Sequence, residues 1–238
     1  MFNQSKAFSY LNFFLFFSFA ILFLRISLNI RLNLPLHFDE AQYWDWSQNL
    51  DWGYFSKPPL LAFLIRVFTE LCGNGENCIR SLSPFLHFLT SLIIFYSVYL
   101  LTNSFKKALL GSFLYLLMPG ISFSSFLIST DVPLLLFSSL IALCIIKIFN
   151  SKKNTFLLFC LLGFFFALGF LSKYAIFYLL LSFLFSIVID KECRRFFLNK
   201  SFLFSVIVSI TLIFPNLIWN YTNEFVTFSH TASNANLS

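Results

Sequence analysis

The chain has 238 residues, of which 58% are apolar, 21% aromatic and only 11% charged. An ordinary soluble domain carries roughly 25% charged residues, and a disordered segment has far fewer apolar groups, so both classes are excluded. The net charge of +6 sits in short basic clusters between apolar runs, which reads as membrane topology and gives no ground for a nucleic-acid partner.

A helix needs roughly 20 apolar residues to cross the hydrocarbon core of a bilayer. Seven runs approach that length: 8–28, 83–102, 108–127, 132–149, 155–171, 174–189 and 202–219. The pattern predicts an all-α, polytopic transmembrane bundle of about seven spans. The first run is too long for a signal-peptide core, and no small-residue cleavage site follows it, so it reads as a retained anchor. With Lys6 on the cytoplasmic side, the inside loops hold Lys106 and Lys107, then Lys152 and Lys153, then Lys191, Arg194, Arg195 and Lys200. That distribution obeys the positive-inside rule. Asp39, Glu40, Asp45, Asp51, Glu70, Glu76, Asp131 and Glu224 then fall outside, so the chemistry is expected on the outer face.

The first outer loop, 31–82, opens with Asp39-Glu40-Ala41-Gln42-Tyr43-Trp44. A carboxylate pair where a span leaves the bilayer, flanked by aromatic rings, is placed to be desolvated and to act as a base. The plainer reading is an acidic helix N-terminus beside an interfacial aromatic belt. Segments 39–46 and 59–71 read as short amphipathic helices on the membrane surface, the second with Arg66 and Glu70 facing water. Between them stands Gly53-Tyr54-Phe55-Ser56-Lys57-Pro58-Pro59, in which the prolines confine the chain around Lys57. A rigidly placed cation near the headgroups suits a phosphate; a snorkelling lysine is the alternative. Cys72 and Cys78 share this loop, either as a disulfide or as neighbouring thiols.

Further along, Thr130-Asp131-Val132-Pro133 starts the fourth run, where Asp131 doubles as a helix cap. Ser172-Lys173-Tyr174 places a lone lysine on the outer side, against the topological trend. Arg25, near the outer end of the first span, reads as snorkelling, with membership of the outer cationic group as the alternative. Pro215 bends the end of the last run, and Asn216, Asn220 and His230 offer hydrogen bonds to a sugar or phosphate. No phosphate-cradling glycine loop and no His/Cys metal spacing occurs, so neither a nucleotide donor nor a metal is assigned.

In this order, Asp39-Glu40-Ala41 with Tyr43-Trp44, Gly53-Tyr54, Lys57-Pro58-Pro59, Thr130-Asp131, Ser172-Lys173-Tyr174, and Pro215 with Trp219-Asn220 resemble the GT-C superfamily of polyprenyl-phosphate-sugar-dependent glycosyltransferases. The likeness is to the branch of protein O-mannosyltransferases and the lipid A aminoarabinose transferase. The resemblance implies a sugar moved from a polyprenyl-phosphate carrier to a glycan, lipid or protein acceptor of the cell envelope. Asp39 would be the general base and Glu40 its support. Lys57 and Lys173 would hold the phosphate, with Asp131, Tyr54, Asn220 and His230 as further substrate-binding candidates. No nucleotide or redox cofactor is implied; members of the superfamily differ in their use of a divalent metal, and none is assigned. The expected home is a bacterial inner membrane, with the N-terminus cytoplasmic and the active face outward. Residues 1–238 would form the N-terminal part of such a domain, its C-terminal spans absent. The competing reading is a non-catalytic subunit of a lipid-linked glycan transporter or flippase; its expected mark, ionisable residues at mid-span, is not prominent in the apolar runs.

Overall fold

The computed structural model describes residues 4–151 and 155–234. Lys152 and Lys153, placed in an inside loop above, lie outside the described residues, as does the side chain of Lys6. The helices in order are α1 (Gln4–Leu32), α2 (Phe38–Gln48), α3 (Leu60–Cys72), α4 (Glu76–Thr102), α5 (Phe105–Leu117), α6 (Pro119–Ser124), α7 (Asp131–Asn150), α8 (Phe156–Ser172), α9 (Phe177–Ile189), α10 (Lys191–Phe197), α11 (Lys200–Thr222) and α12 (Val226–Asn234). A single 3₁₀ turn, Tyr174–Ile176, joins α8 to α9. The described residues contain no strand.

Within them, α1, α4, α7 and α11 are long and apolar enough to cross a membrane. The bent pair of α9 and α10 makes a fifth if it counts as one span. By length and composition, the described residues thus offer four or five such spans where the sequence suggests about seven. The third predicted run, 108–127, is broken at Met118-Pro119 into α5 and α6, because Pro119 has no N–H to continue the ladder and suits a helix start. The run at 155–171 becomes the 17-residue α8, and the run at 174–189 a turn and the 13-residue α9. All-helical, multi-pass architecture stands, since apolar backbone in lipid must satisfy its own polar groups.

Two packed units make up the bundle. In one, α1, α4 and α5 meet around Phe14, Phe95 and Ala108, with the rings of Phe14 and Phe95 stacked at 4.2 Å. In the other, α7, α8 and α11 enclose Ile141, Phe159, Phe170 and Ile213. Here α8 and α11 run so close that a Cβ on Gly163 would lie 2.2 Å from the Ser205 carbonyl oxygen. Ser209 Oγ donates to the Gly163 carbonyl across the same seam, at 3.0 Å. Small residues that let helix backbones touch are the usual means of association in lipid.

Both surface helices form where expected. The inward face of α3, Leu61 and Ile65, packs with Tyr43 of α2 and with Ile79 and Leu82 of α4. Its outward face carries the exposed Arg66–Glu70 ion pair at 2.7 Å. Cys72 and Cys78 are joined as a disulfide, with their Cα atoms 5.9 Å apart, which ties the end of α3 to the start of α4.

One expectation for α1 fails. Arg25 is not snorkelling: it is 6% exposed and donates to the Leu116 carbonyl and, at 3.3 Å, to Ser122 Oγ. Asn29, one turn on, donates to the Ser125 carbonyl at 3.3 Å. The C-terminal ends of α5 and α6 leave carbonyls without helical partners, and α1 supplies donors for those of Leu116 and Ser125. His87, a polar residue inside the second predicted run, joins the same seam through Tyr115 Oη at 2.8 Å and Ser124 Oγ at 3.1 Å.

Candidate active site

The segments singled out in the sequence converge at one end of the bundle. The first anchor is Glu40. Its carboxylate is 1% exposed and faces Arg80 of α4, itself 4% exposed. Arg80 Nη2 donates to Glu40 Oε2 at 2.6 Å, and Nε reaches both carboxylate oxygens at 3.1 Å. Two main-chain N–H groups complete the shell: His37 at 2.8 Å and Ile128 at 3.0 Å. Two further guanidinium hydrogens, on Nη1 and Nη2, go to the carbonyls of Leu34 and Pro35, each at 2.6 Å. Glu40 thus fastens α2 to α4 and to the loop that precedes Asp131. Its oxygens are saturated, which fits a supporting role better than proton transfer.

Asp39 is different. Successive residues of a helix point about 100° apart, so the burial of Glu40 turns its neighbour outward. Asp39 is exposed and has no hydrogen-bond or ion-pair partner among the described residues. Its charge is nonetheless felt within the protein. The phenol of the buried Tyr43 is pushed up to about 12, first by desolvation and then by the nearby charges of Asp39 and Asp131. The two acids, far apart in the sequence, thus act on one phenol.

Asp131 starts α7 and accepts from Lys173 Nζ at 2.7 Å. Both side chains remain partly exposed, so this pair has little intrinsic strength and is open to a competing anion. Lys173 sits in extended backbone between α8 and the 3₁₀ turn. Next to it, the Tyr174 ring packs between those of Phe170 and Phe228, each centroid 4.8 Å away. Those two phenylalanines also line an apolar cavity of about 450 Å³, together with Ile141, Leu162, Phe177 and Leu217.

Lys57 lies on a strap, residues 51–59, that crosses from α2 to α3 and is bound down on α11 and α12. Trp219 Nε1 donates to Asp51 Oδ2 at 2.7 Å, and Thr227 Oγ1 donates to the Tyr54 carbonyl at 2.7 Å. Gly53 is required here: a Cβ would fall 2.3 Å from the Trp219 ring. Glu224 and Phe225 take left-handed φ values of 55° and 53°, which folds α12 back toward the strap. Lys57 itself is half-buried, with no side-chain partner among the described residues.

Of the other expected binding residues, Tyr54 is buried and stacked flat on Trp46 at 4.5 Å. Its hydroxyl accepts from the Asp51 N–H at 3.0 Å and faces the Trp46 carbonyl, and burial raises its pKa. Asn220 is fully buried and donates to Tyr174 Oη at 3.2 Å and to the Asn216 carbonyl at 2.9 Å. His230 packs against Phe55 with ring centroids 4.7 Å apart. The Tyr54 hydroxyl and Asn220 Nδ2 are thereby engaged in the framework that carries Lys57 and Lys173, while Asn220 Oδ1 is buried without a hydrogen-bond partner among the described residues. Arg80 and Thr227 escaped the sequence reading. Arg80 had a signal, an arginine close to the apolar run that follows the acid pair; Thr227 had none.

Among the described residues, no group of three or more His, Cys, Asp or Glu side chains is arranged to hold a metal ion. Residues 56–219 match the family described as dolichyl-phosphate-mannose-protein mannosyltransferase. The chain is also 34% identical over 188 residues to the lipid A galacturonosyltransferase RgtD of Rhizobium johnstonii, an alignment covering 78% of this chain and 38% of that protein. The chain thus spans well under half the length of this relative. No solved structure matches. A multi-pass helical bundle agrees with those matches, and the chain belongs to the GT-C family of membrane glycosyltransferases.

Proposed function

We propose that this protein transfers a sugar from a polyprenyl-phosphate carrier to a cell-envelope acceptor at the outer face of a bacterial inner membrane. The observation that carries the reading is the junction at Tyr174. Lys173 is the adjacent residue, and the rings that clamp Tyr174 belong to the wall of the apolar cavity. A lipid phosphate needs just that pairing, a cation for its head and a dry channel for its tail. The named relative acts on lipid A, which makes a glycolipid the favoured acceptor class.

In this reading Asp39 takes the proton from the acceptor hydroxyl. The acceptor oxygen then forms its bond to the anomeric carbon from the face opposite the phosphate. The bond from that carbon to the phosphate oxygen breaks, its electron pair stays on the phosphate, and the configuration inverts. Lys57 and Lys173 meet the charge that develops on the leaving group. Lys173 exchanges Asp131 for the phosphate, and Asp131 holds it ready until then. Glu40, fixed by Arg80, sets the orientation of the helical turn that presents Asp39. No cofactor enters these steps.

The test is transfer of radiolabelled sugar from polyprenyl phosphate in membranes containing the chain, beside Asp39→Asn at equal abundance. Transfer abolished by the substitution supports the reading. Equal transfer by both removes Asp39 as the base, and none by the unsubstituted protein counts against this donor.

A further inference from the structure

Asn216 of α11 is wholly buried, at 0% exposure, and its amide is used in both senses. Nδ2 donates to the main-chain carbonyl of Trp52 at 2.6 Å, 164 residues away in sequence. Oδ1 accepts from Tyr174 Oη at 3.2 Å, 42 residues away. Asn220 Nδ2, one turn on, donates to the Asn216 main-chain carbonyl at 2.9 Å and approaches Asn216 Oδ1 at 3.4 Å.

The two partners of Asn216 are not arbitrary. Trp52 opens the strap that carries Lys57, and little freedom remains between them. The Tyr54 N–H donates to the Lys57 carbonyl at 3.2 Å, Thr227 holds the Tyr54 carbonyl, and Pro58 restricts Lys57 itself. On the other side, Tyr174 directly follows Lys173, and its ring is clamped by Phe170 and Phe228. One neutral amide therefore joins the two segments that bear the two lysines. A side-chain amide combines a donor and an acceptor in one rigid, uncharged plane.

We propose that Asn216 is a positioning residue that fixes the spacing between Lys57 and Lys173, so that the two cations act as one paired site for the phosphate of a lipid-linked sugar. This assignment rests on the donor reading given above. Two cations stabilise one leaving phosphate only if both are in place before the charge develops, since any movement needed at that moment is subtracted from their effect. Asn216 touches neither lysine and acts through main chain and the Tyr174 hydroxyl.

The experiment measures the spacing directly. Spin labels are placed on Lys57→Cys and Lys173→Cys in the full chain, with Cys144, Cys160 and Cys193 replaced by alanine. The distance distribution is expected to be narrow, and to broaden with Asn216→Leu and, through loss of the hydroxyl's bonds to Asn216 and Asn220, with Tyr174→Phe. Should Asn216→Leu fail to fold, Tyr174→Phe carries the test. A distribution unchanged by the folded variants overturns the proposal. In unlabelled protein, Asn216→Leu should raise the donor KM roughly 10–100-fold, the scale of a misplacement of about 1 Å. In a Lys57→Ala background the same change should add less than about twofold, because coupled residues are not additive. Full additivity there overturns the positioning role. Broadening without any effect of Lys57→Ala or Lys173→Ala on donor KM keeps Asn216 as the spacer but overturns the phosphate site it was assigned to serve.

Discussion

Arg80 Nη2 donates to Glu40 Oε2 at 2.6 Å, with both side chains almost wholly removed from solvent, while the neighbouring carboxylate of Asp39 stands exposed. Two adjacent acids thus have opposite surroundings, which separates a structural carboxylate from the one proposed as the base. Removing one partner of a buried ion pair costs about 3–5 kcal/mol, because the other charge is left uncompensated. Arg80→Ala and Glu40→Ala should both lower the folded fraction in detergent by amounts in that range. Thermal unfolding followed by helical circular dichroism checks it.

Asp39→Asn should behave in the opposite way. Exposed substitutions away from packed features usually change stability by less than about 0.5 kcal/mol. The expected outcome is normal abundance and melting temperature, with transfer lowered by about 10²–10⁴-fold, the contribution of a general base. An unfolded or poorly inserted Asp39→Asn protein would contradict the exposed position.

Gly53 and Trp219 make a second separable pair. Gly53→Ala should cost about 1–3 kcal/mol, the usual penalty for forcing an extra carbon into a filled space. Trp219→Leu in the same chain should recover part of that loss by removing the ring the new Cβ strikes. Comparing the single and double variants by denaturant unfolding tests the contact, since independent sites would simply add.

Tyr43 supplies a pH signature. Its folded pKa is raised from the ordinary 10.0 to about 12, by desolvation first and by Asp39 and Asp131 after it. The folded state therefore favours the neutral phenol. This contribution to stability is complete below pH 10.0 and is lost as pH rises toward about 12. Ultraviolet difference titration should show one tyrosine ionising late, and Asp39→Asn should shift that transition down.

Reduction of Cys72–Cys78 releases a loop with a sequence separation of 6. Chain-entropy arguments assign about 2 kcal/mol to so short a closure. Cys72→Ser should lower stability by that order and leave Cys78 open to alkylation. Mass spectrometry of the alkylated protein, with and without reductant, reads this out.

Membrane class, helical architecture, the surface helices of the first loop and the order of the chemical motifs were legible in the sequence, because hydrophobicity and helical period are local properties that add along the chain. The acid pair, Lys57, Asp131 and Lys173 were legible for the same reason, each being a charged residue out of keeping with its apolar neighbourhood. Only the tertiary structure decided that Met118-Pro119 breaks one predicted span, that Arg25 turns inward to serve that break, and that Glu40 belongs to Arg80, 40 residues on. It alone joined the Lys57 strap to Asn216 and Trp219, across separations of 164 and 168 residues. Such pairings depend on which helix faces meet, and in a chain this uniformly apolar many faces are nearly equivalent until close packing and the few buried polar groups select among them.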